Sequence, residues 1–211
     1  MKLYQLPFSP NCQKVIALAH EVGMPLELAT VDVFKGEART PAMLAKNPNG
    51  KVPILEDGDF VLWESTAMLA YIAAKAGRTD LSPMTPRERA EVDRWTSWQG
   101  AHFGPAIRKV AFERIVKKLA GRGAPDEAVV KAGMEEFAVT AAVLEQGLGT
   151  KEYVCGPLTI ADFALAPYAA LTASCGLDFE PYPKAKAWLE RMSARDSMKK
   201  TFAAASLGRA A

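Results

Sequence analysis

Histidine and cysteine are scarce in this chain. Its 211 residues include two histidines, His20 and His102, and three cysteines, Cys12, Cys155 and Cys175. No Cys/His cluster has the spacing of a metal site, so no metal centre is expected. The cysteines are odd in number and widely separated, which argues against a disulfide framework and for a reducing, cytoplasmic setting. No run of about 18 apolar residues occurs, so no membrane-spanning helix is expected. The opening "MKLYQLPFSP" has neither a long apolar stretch nor a small-residue cleavage site, so no secretory signal is expected. A net charge of +2 is too small to suggest a nucleic-acid or membrane surface as partner. Internal repeats and low-complexity tracts are absent too, and neither half of the chain is a charged tail.

What is present is an ordinary soluble composition, 49% apolar and 24% charged, long enough for one large domain or two small ones. "KLYQL" reads as a short strand. Ser9 and Pro10 then start a helix, since serine is a favoured N-cap and proline suits the first helical position. "CQKVIALAHEVG" continues with helical apolar spacing and stops at Gly23. "PLELATVDV" reads as a second strand, parallel to the first because a helix lies between. "TPAMLAKNPNG" gives a short helix capped by Thr40. "KVPILEDGDFVLWES" reads as a hairpin turning at Asp57-Gly58 as a type I′ turn, with Pro53 inside its first run as an edge-strand residue or a cis bond. "STAMLAYIAAKAG" is a third helix.

Beyond "RTDLSPMTPRERA" no strong strand signal appears. Thr85, Pro86 and Glu88 form a capping box. A long helix follows, which Gly104-Pro105 should kink or divide. Next comes an amphipathic helix over "PDEAVVKAGMEEFAVTAAVLEQGLG", closed by Gly147. "LTIADFALAPYAALTASCG" is apolar nearly all round, the pattern of a buried helix. "PKAKAWLERMSA" is shorter and amphipathic. The chain therefore reads as an α/β domain over residues 1–77 (βαβ-α-ββ-α), a linker over 78–86 and an all-α domain over 87–211.

The stretch Ser9-Pro10-Asn11-Cys12 has the spacing of a redox Cys-Pro-x-Cys motif with serine in the nucleophilic place. A helix N-terminus carries about half a positive charge and unpaired N–H groups, and so lowers the pKa of a thiol beside it. Without a cysteine at Ser9, that environment can still ionise a thiol brought from outside. A hydroxyl donating to a thiolate contributes about 1.5–3 kcal/mol. Lowering a thiol from about 8.5 by two units requires roughly 2.7 kcal/mol. One such hydrogen bond plus a helix terminus is enough. The plainer reading, that Ser9 is only a helix cap and Cys12 a small buried hydrophobe, stands beside this one.

Three further segments, "NPNGKVPIL" (47–55), "WES" (63–65) and "TIADF" (159–163), occur in this order with Ser9. In that combination the chain resembles the cytosolic glutathione S-transferases over essentially its whole length. A serine with Asn11 two residues later is similar to the serine-type classes: theta, phi and related bacterial enzymes. The resemblance implies a thioredoxin-like first domain, a helical second domain, glutathione as cosubstrate, a hydrophobic electrophile as acceptor, and a homodimer. It implies Ser9 and Asn11 as the groups facing the thiol. It implies Arg39 and Lys51 for the glycyl carboxylate, and a cis Pro53 that turns the Val52 backbone outward to pair with the cysteinyl part. It gives Glu64 the γ-glutamyl amine and Ser65 the γ-glutamyl carboxylate. His102, Phe103, Ile107 and Phe112 would line the acceptor cleft, while Thr159 and Asp162 would cap a buried helix. Glutathione-dependent reduction of disulfides or peroxides, and a non-catalytic binding module on the same fold, are the alternatives.

Overall fold

The computed structural model describes residues 1–207. Strand β1 (Lys2–Gln5), helix α1 (Pro10–Glu21) and strand β2 (Glu27–Thr30) form the βαβ unit, with β1 and β2 parallel and Leu3 opposite Leu28. A 3₁₀ turn (Glu37–Arg39) and α2 (Pro41–Lys46) lead to β3 (Ile54–Asp57), β4 (Phe60–Leu62) and α3 (Ser65–Lys75). The sheet order is β2-β1-β3-β4, with β3 antiparallel to both neighbours. This is the thioredoxin-like arrangement.

Alternation along the strands divides the core in two. Tyr4 and Ile54 face a cluster with Val31, Ala38 and Met43. Leu3 and Leu55, one residue along, point the other way and are fully buried. On α1 and α3, which pack together, Val15, Leu18, Met68, Leu69 and Ile72 are fully buried. Each such side chain contributes about 1.5–3 kcal/mol.

Four details differ from the sequence reading. Asp57 pairs with Phe60, so the hairpin turns on Gly58-Asp59 rather than Asp57-Gly58. Only Gly58 there has positive φ (65°), the glycine-first pattern of a type II′ turn. Pro53 lies just ahead of β3 rather than inside it, and its bond to Val52 is cis. Thr40 occupies the N-cap of α2, but its hydroxyl donates to the Glu37 carbonyl at 3.0 Å instead of capping. The segment from Ala194 on, with α10 (Asp196–Leu207), groups with Met1–Ser82, leaving Pro83–Ser193 as the second unit. Helix α10 packs on α1, where the Glu21 carboxylate accepts from Arg195 and from Ser197 Oγ at 2.6 Å. An amphipathic pattern does not say which sheet or helix will cover it.

The second unit is helical throughout its long elements. Thr85 caps α4 (Pro86–Trp98): its hydroxyl oxygen accepts from Glu88 N–H at 3.4 Å and its hydroxyl donates to the Glu88 carboxylate, which is one half of the expected capping box. Gly104-Pro105 neither breaks nor ends the helix. A π turn (Gln99–Phe103) comes immediately before α5 (Gly104–Ala111), and the junction residues Gln99 (−58°, −46°) and Gly104 (−62°, −47°) stay helical. Proline lacks an N–H and its ring crowds the carbonyl four residues back; a wider turn ahead of it gives that carbonyl room. A second π turn (Phe112–Val116) leads to α6 (Lys117–Leu119).

Helix α7 (Glu127–Leu148) is capped by Asp126, whose carboxylate accepts from Ala128 N–H at 3.0 Å. It runs through Gly147 and ends at Gly149 (φ 55°), so Gly147 is not its stop signal. Gly147 is instead where Trp95 lands: a β-carbon there would lie 2.3 Å from Trp95 Cη2. Helix α8 (Ile160–Leu171) carries the Thr159/Asp162 capping box, and Asp162 Oδ1 also accepts from Trp188 Nε1 at 2.9 Å, from helix α9 (Pro183–Ala194). Burial pushes the Asp162 carboxyl pKa up, and those hydrogen bonds oppose the shift.

Gly147→Ala should therefore lower stability by about 1–3 kcal/mol, because an indole wall cannot yield as a flexible chain end would. A urea midpoint that stays at the wild-type value would show that the α4–α7 contact is looser than described.

Candidate functional site

Ser9 sits where β1 gives way to α1, in the extended N-cap conformation (−76°, 121°). Its carbonyl accepts from Cys12 and Gln13 N–H at 2.9 Å each, which starts the helix. Its hydroxyl makes no capping bond to the first turn. No acidic residue stands in that turn to consume the positive helix end.

Cys12, one turn in, is fully buried. Burial pushes its thiol up to about 11, against hydrogen bonding from Leu6 N–H and from Ser9. A thiol so placed is neither ionised at neutral pH nor open to a disulfide partner. Cys12 is packing, as the plainer reading had it.

The starts of α1 and α3 are joined directly. Ser65 Oγ donates to Asn11 Oδ1 at 3.3 Å, a contact 54 residues apart in sequence. Ser65 is buried at the first helical position, so its hydroxyl is engaged by Asn11 while its backbone N–H belongs to the open first turn. Glu64, the N-cap, has φ 71° and ψ 105° and is the one non-glycine residue with positive φ among the described residues. Such a conformation costs about 1–3 kcal/mol and collects at functional sites.

The third segment is organised by Asn47, which is buried. Its Oδ1 accepts from Asn49 N and Nδ2, at 3.0 and 2.9 Å, and its Nδ2 donates to the Lys51 carbonyl at 2.7 Å. Gly50 takes φ 61°, and a β-carbon built on it would lie 3.1 Å from Arg39 Cγ. The Arg39 chain therefore runs along this turn, so two exposed cations, Arg39 and Lys51, flank the Val52–Pro53 corner.

The four second-unit residues separate. Phe103 and Ile107 are fully buried, and Phe103 stacks on Trp98 with centroids 5.3 Å apart. Both are core, so the expectation that they line an open cleft is corrected: a Phe and Ile stripe at helical spacing is buried against its own unit. His102 and Phe112 are exposed, one on each π turn.

Three features escaped the sequence reading. Phe8, the residue before Ser9, stacks on Phe34 with centroids 6.1 Å apart, and Phe34 is 43% exposed. Asn47 was visible only as turn composition. Lys14 was visible as a charge inside the apolar run "CQKVIALAH", yet it is 2% exposed.

Residues 3–80 match the family "Glutathione S-transferase, N-terminal domain" and residues 78–196 match "Glutathione S-transferase, C-terminal domain". Glutathione S-transferase 3 of Zea mays is 38% identical, with 97% of this chain and 94% of that protein covered. Glutathione transferase F7 from Populus trichocarpa superposes with a TM-score of 0.87 at 32% identity, covering 97% of this chain and 98% of that one. A glutathione S-transferase-I structure bound with lactoylglutathione superposes at 0.88, with 28% identity over 96% and 98% of the two chains. The chain belongs to the glutathione S-transferase family.

The thiols supply a direct check. Cys12 and Cys175 are buried, and each is pushed up to about 11 by burial, whereas Cys155 is half-buried. A thiol reagent at neutral pH should label Cys155 first, and reach the other two only after unfolding. Rapid labelling of Cys12 in the native protein would contradict the packing described for α1.

Proposed function

We propose that this protein conjugates glutathione to hydrophobic electrophiles, and that Ser9 orients and ionises the glutathione thiol. The observation that carries the reading is the convergence of two helix starts, with Ser9 and Asn11 on one and Glu64 and Ser65 on the other, tied by the Asn11–Ser65 hydrogen bond. Glutathione bears two carboxylates, one amine and one thiol. Two positive helix ends suit the thiolate and the γ-glutamyl carboxylate, the latter through the Ser65 backbone N–H. Glu64 takes the γ-glutamyl amine. Arg39 and Lys51 take the glycyl carboxylate, and the Val52 backbone pairs with the cysteinyl unit beside the cis Val52–Pro53 bond.

The thiol proton leaves to solvent. The sulfur lone pair then forms a C–S bond at the electrophilic carbon, whose leaving group departs with its electron pair. The Ser9 hydroxyl donates to the sulfur, with Asn11 beside it in the same turn. The chain's contribution is charge stabilisation and proximity. The Phe8–Phe34 stack, next to Ser9 in sequence and open to solvent, is an apolar surface for the acceptor. His102 and Phe112 are the predicted acceptor residues of the second unit whose side chains reach solvent. A disulfide-reductase role would draw on Cys12, and a buried thiol gives it no support.

The same reading makes the protein a cytoplasmic homodimer. Among the described residues no helix is long and apolar enough to cross a membrane. Phe60, Val61 and Trp63 in the first unit, and Met134, Val139 and Val143 in the second, are exposed apolar side chains that a partner subunit would cover.

Ser9→Ala should lower turnover with a chloronitrobenzene acceptor by roughly 10²-fold, with little change in glutathione affinity. An unaltered kcat would move thiolate stabilisation to Asn11 or the helix end. Light scattering should give twice the 22.8 kDa chain mass; a monomer mass would reject the dimer.

A further inference from the structure

Ser65 follows Glu64, the residue held at positive φ, and the two side chains part there: Glu64 is exposed and Ser65 is buried. The first bond within α3 runs from Met68 N–H to the Glu64 carbonyl at 3.1 Å, so the N–H groups of Ser65, Thr66 and Ala67 come before the ladder begins. The polar groups of Ser65 therefore serve different directions. Its backbone N–H belongs to the open turn. Its hydroxyl donates to Asn11 Oδ1 at 3.3 Å, in the first turn of α1. A hydroxyl has one proton, and a proton given to Asn11 is not given to a bound carboxylate.

The consequence lies in the Asn11 amide. A carboxamide carries an oxygen that accepts and an NH2 that only donates, at opposite ends of one planar group. Holding the oxygen against Ser65 holds the NH2 at the other end. For a sulfur beside Ser9 the two ends are not equivalent, because a donor stabilises a thiolate and a carbonyl oxygen repels it. The torsion that turns the amide is broad and soft, so an amide without that anchor would offer either end.

We propose that Ser65 is a positioning residue for thiolate stabilisation: its hydroxyl sets the Asn11 amide so that the NH2 faces the glutathione thiol, while its backbone N–H holds the γ-glutamyl carboxylate. This rests on the glutathione reading of the two helix starts. It goes beyond the sequence expectation for Ser65, which covers carboxylate recognition alone. One residue then joins recognition to activation through separate atoms. The contact is longer than an ordinary hydroxyl–oxygen bond of about 2.7–2.8 Å, so the effect it transmits is modest.

The test titrates the thiol of bound glutathione through its ultraviolet thiolate absorbance, at saturating glutathione. It compares wild type, Ser65→Ala, Asn11→Ala and the double variant. Calorimetric binding of S-hexylglutathione, which has no titrating thiol, reports recognition separately. Ser65→Ala should raise the pKa of the bound thiol by about half a unit to one unit, roughly three- to tenfold less thiolate at a pH below both values. The backbone N–H survives the substitution, so affinity for S-hexylglutathione should fall less than about threefold. The double variant should shift the thiol no further than Asn11→Ala alone, because the serine acts through the amide. A bound thiol unmoved by Ser65→Ala overturns the proposal, as does a shift that adds in full to that of Asn11→Ala. If glutathione bound to wild type titrates no lower than in free solution, the thiolate reading of Ser9 falls and the role of Ser65 with it. A lowered wild-type value that Ser65→Ala leaves in place sinks the role of Ser65 alone.

Discussion

The hydrogen bond from Ser65 to Asn11 joins two helix starts that are far apart in sequence, and the site depends on that union. Each start supplies open backbone donors and about half a positive charge. A single terminus offers one weak anion site. Two termini held side by side offer a surface on which a thiolate and a carboxylate of one small ligand can be neutralised together. The βαβ unit sets the first terminus at the end of β1, and the β-hairpin brings the second back beside it. A fold of this kind can do thiol chemistry without a thiol of its own.

The rest of the first unit holds those termini still. Leu3, Leu55, Val15 and Ile72 are fully buried, and interiors packed at that density move little. Asn47 ties the turn before Val52 from within, and Gly50 leaves room for Arg39 to run along it. The C-terminal segment adds a clasp at the far end of α1, through Glu21, Arg195 and Ser197. Among the described residues, positive φ outside glycine is confined to Glu64, the N-cap of α3.

Much of this was legible in the chain. Ser9-Pro10 marked a helix start because serine and proline favour the first two positions there, and the helix begins at Pro10. Thr159 and Asp162 marked another, and the capping box is formed. These signals act over three or four residues, so they survive into the fold. Gly147 misled for the same local reason. Glycine near a helix end reads as a stop, but here it clears space for Trp95, which is 52 positions away. Phe103 and Ile107 misled in a second way, since an apolar stripe does not say whether a cleft or a neighbouring helix will cover it.

By itself, then, the order of residues determined where helices start, the strand–helix alternation and the serine in place of a thiol, while leaving the Val52–Pro53 bond open between cis and trans. These are properties of short segments whose backbone preferences and hydrogen-bonding groups are local. Tertiary structure alone decided that Ser65 engages Asn11, that Phe8 stacks on Phe34, that α10 returns to α1 and that Lys14 is enclosed. The physical reason is that burial and charge environment belong to the space around a side chain, which distant parts of the chain fill. A lysine reads the same in sequence whether water or a helix pair surrounds it.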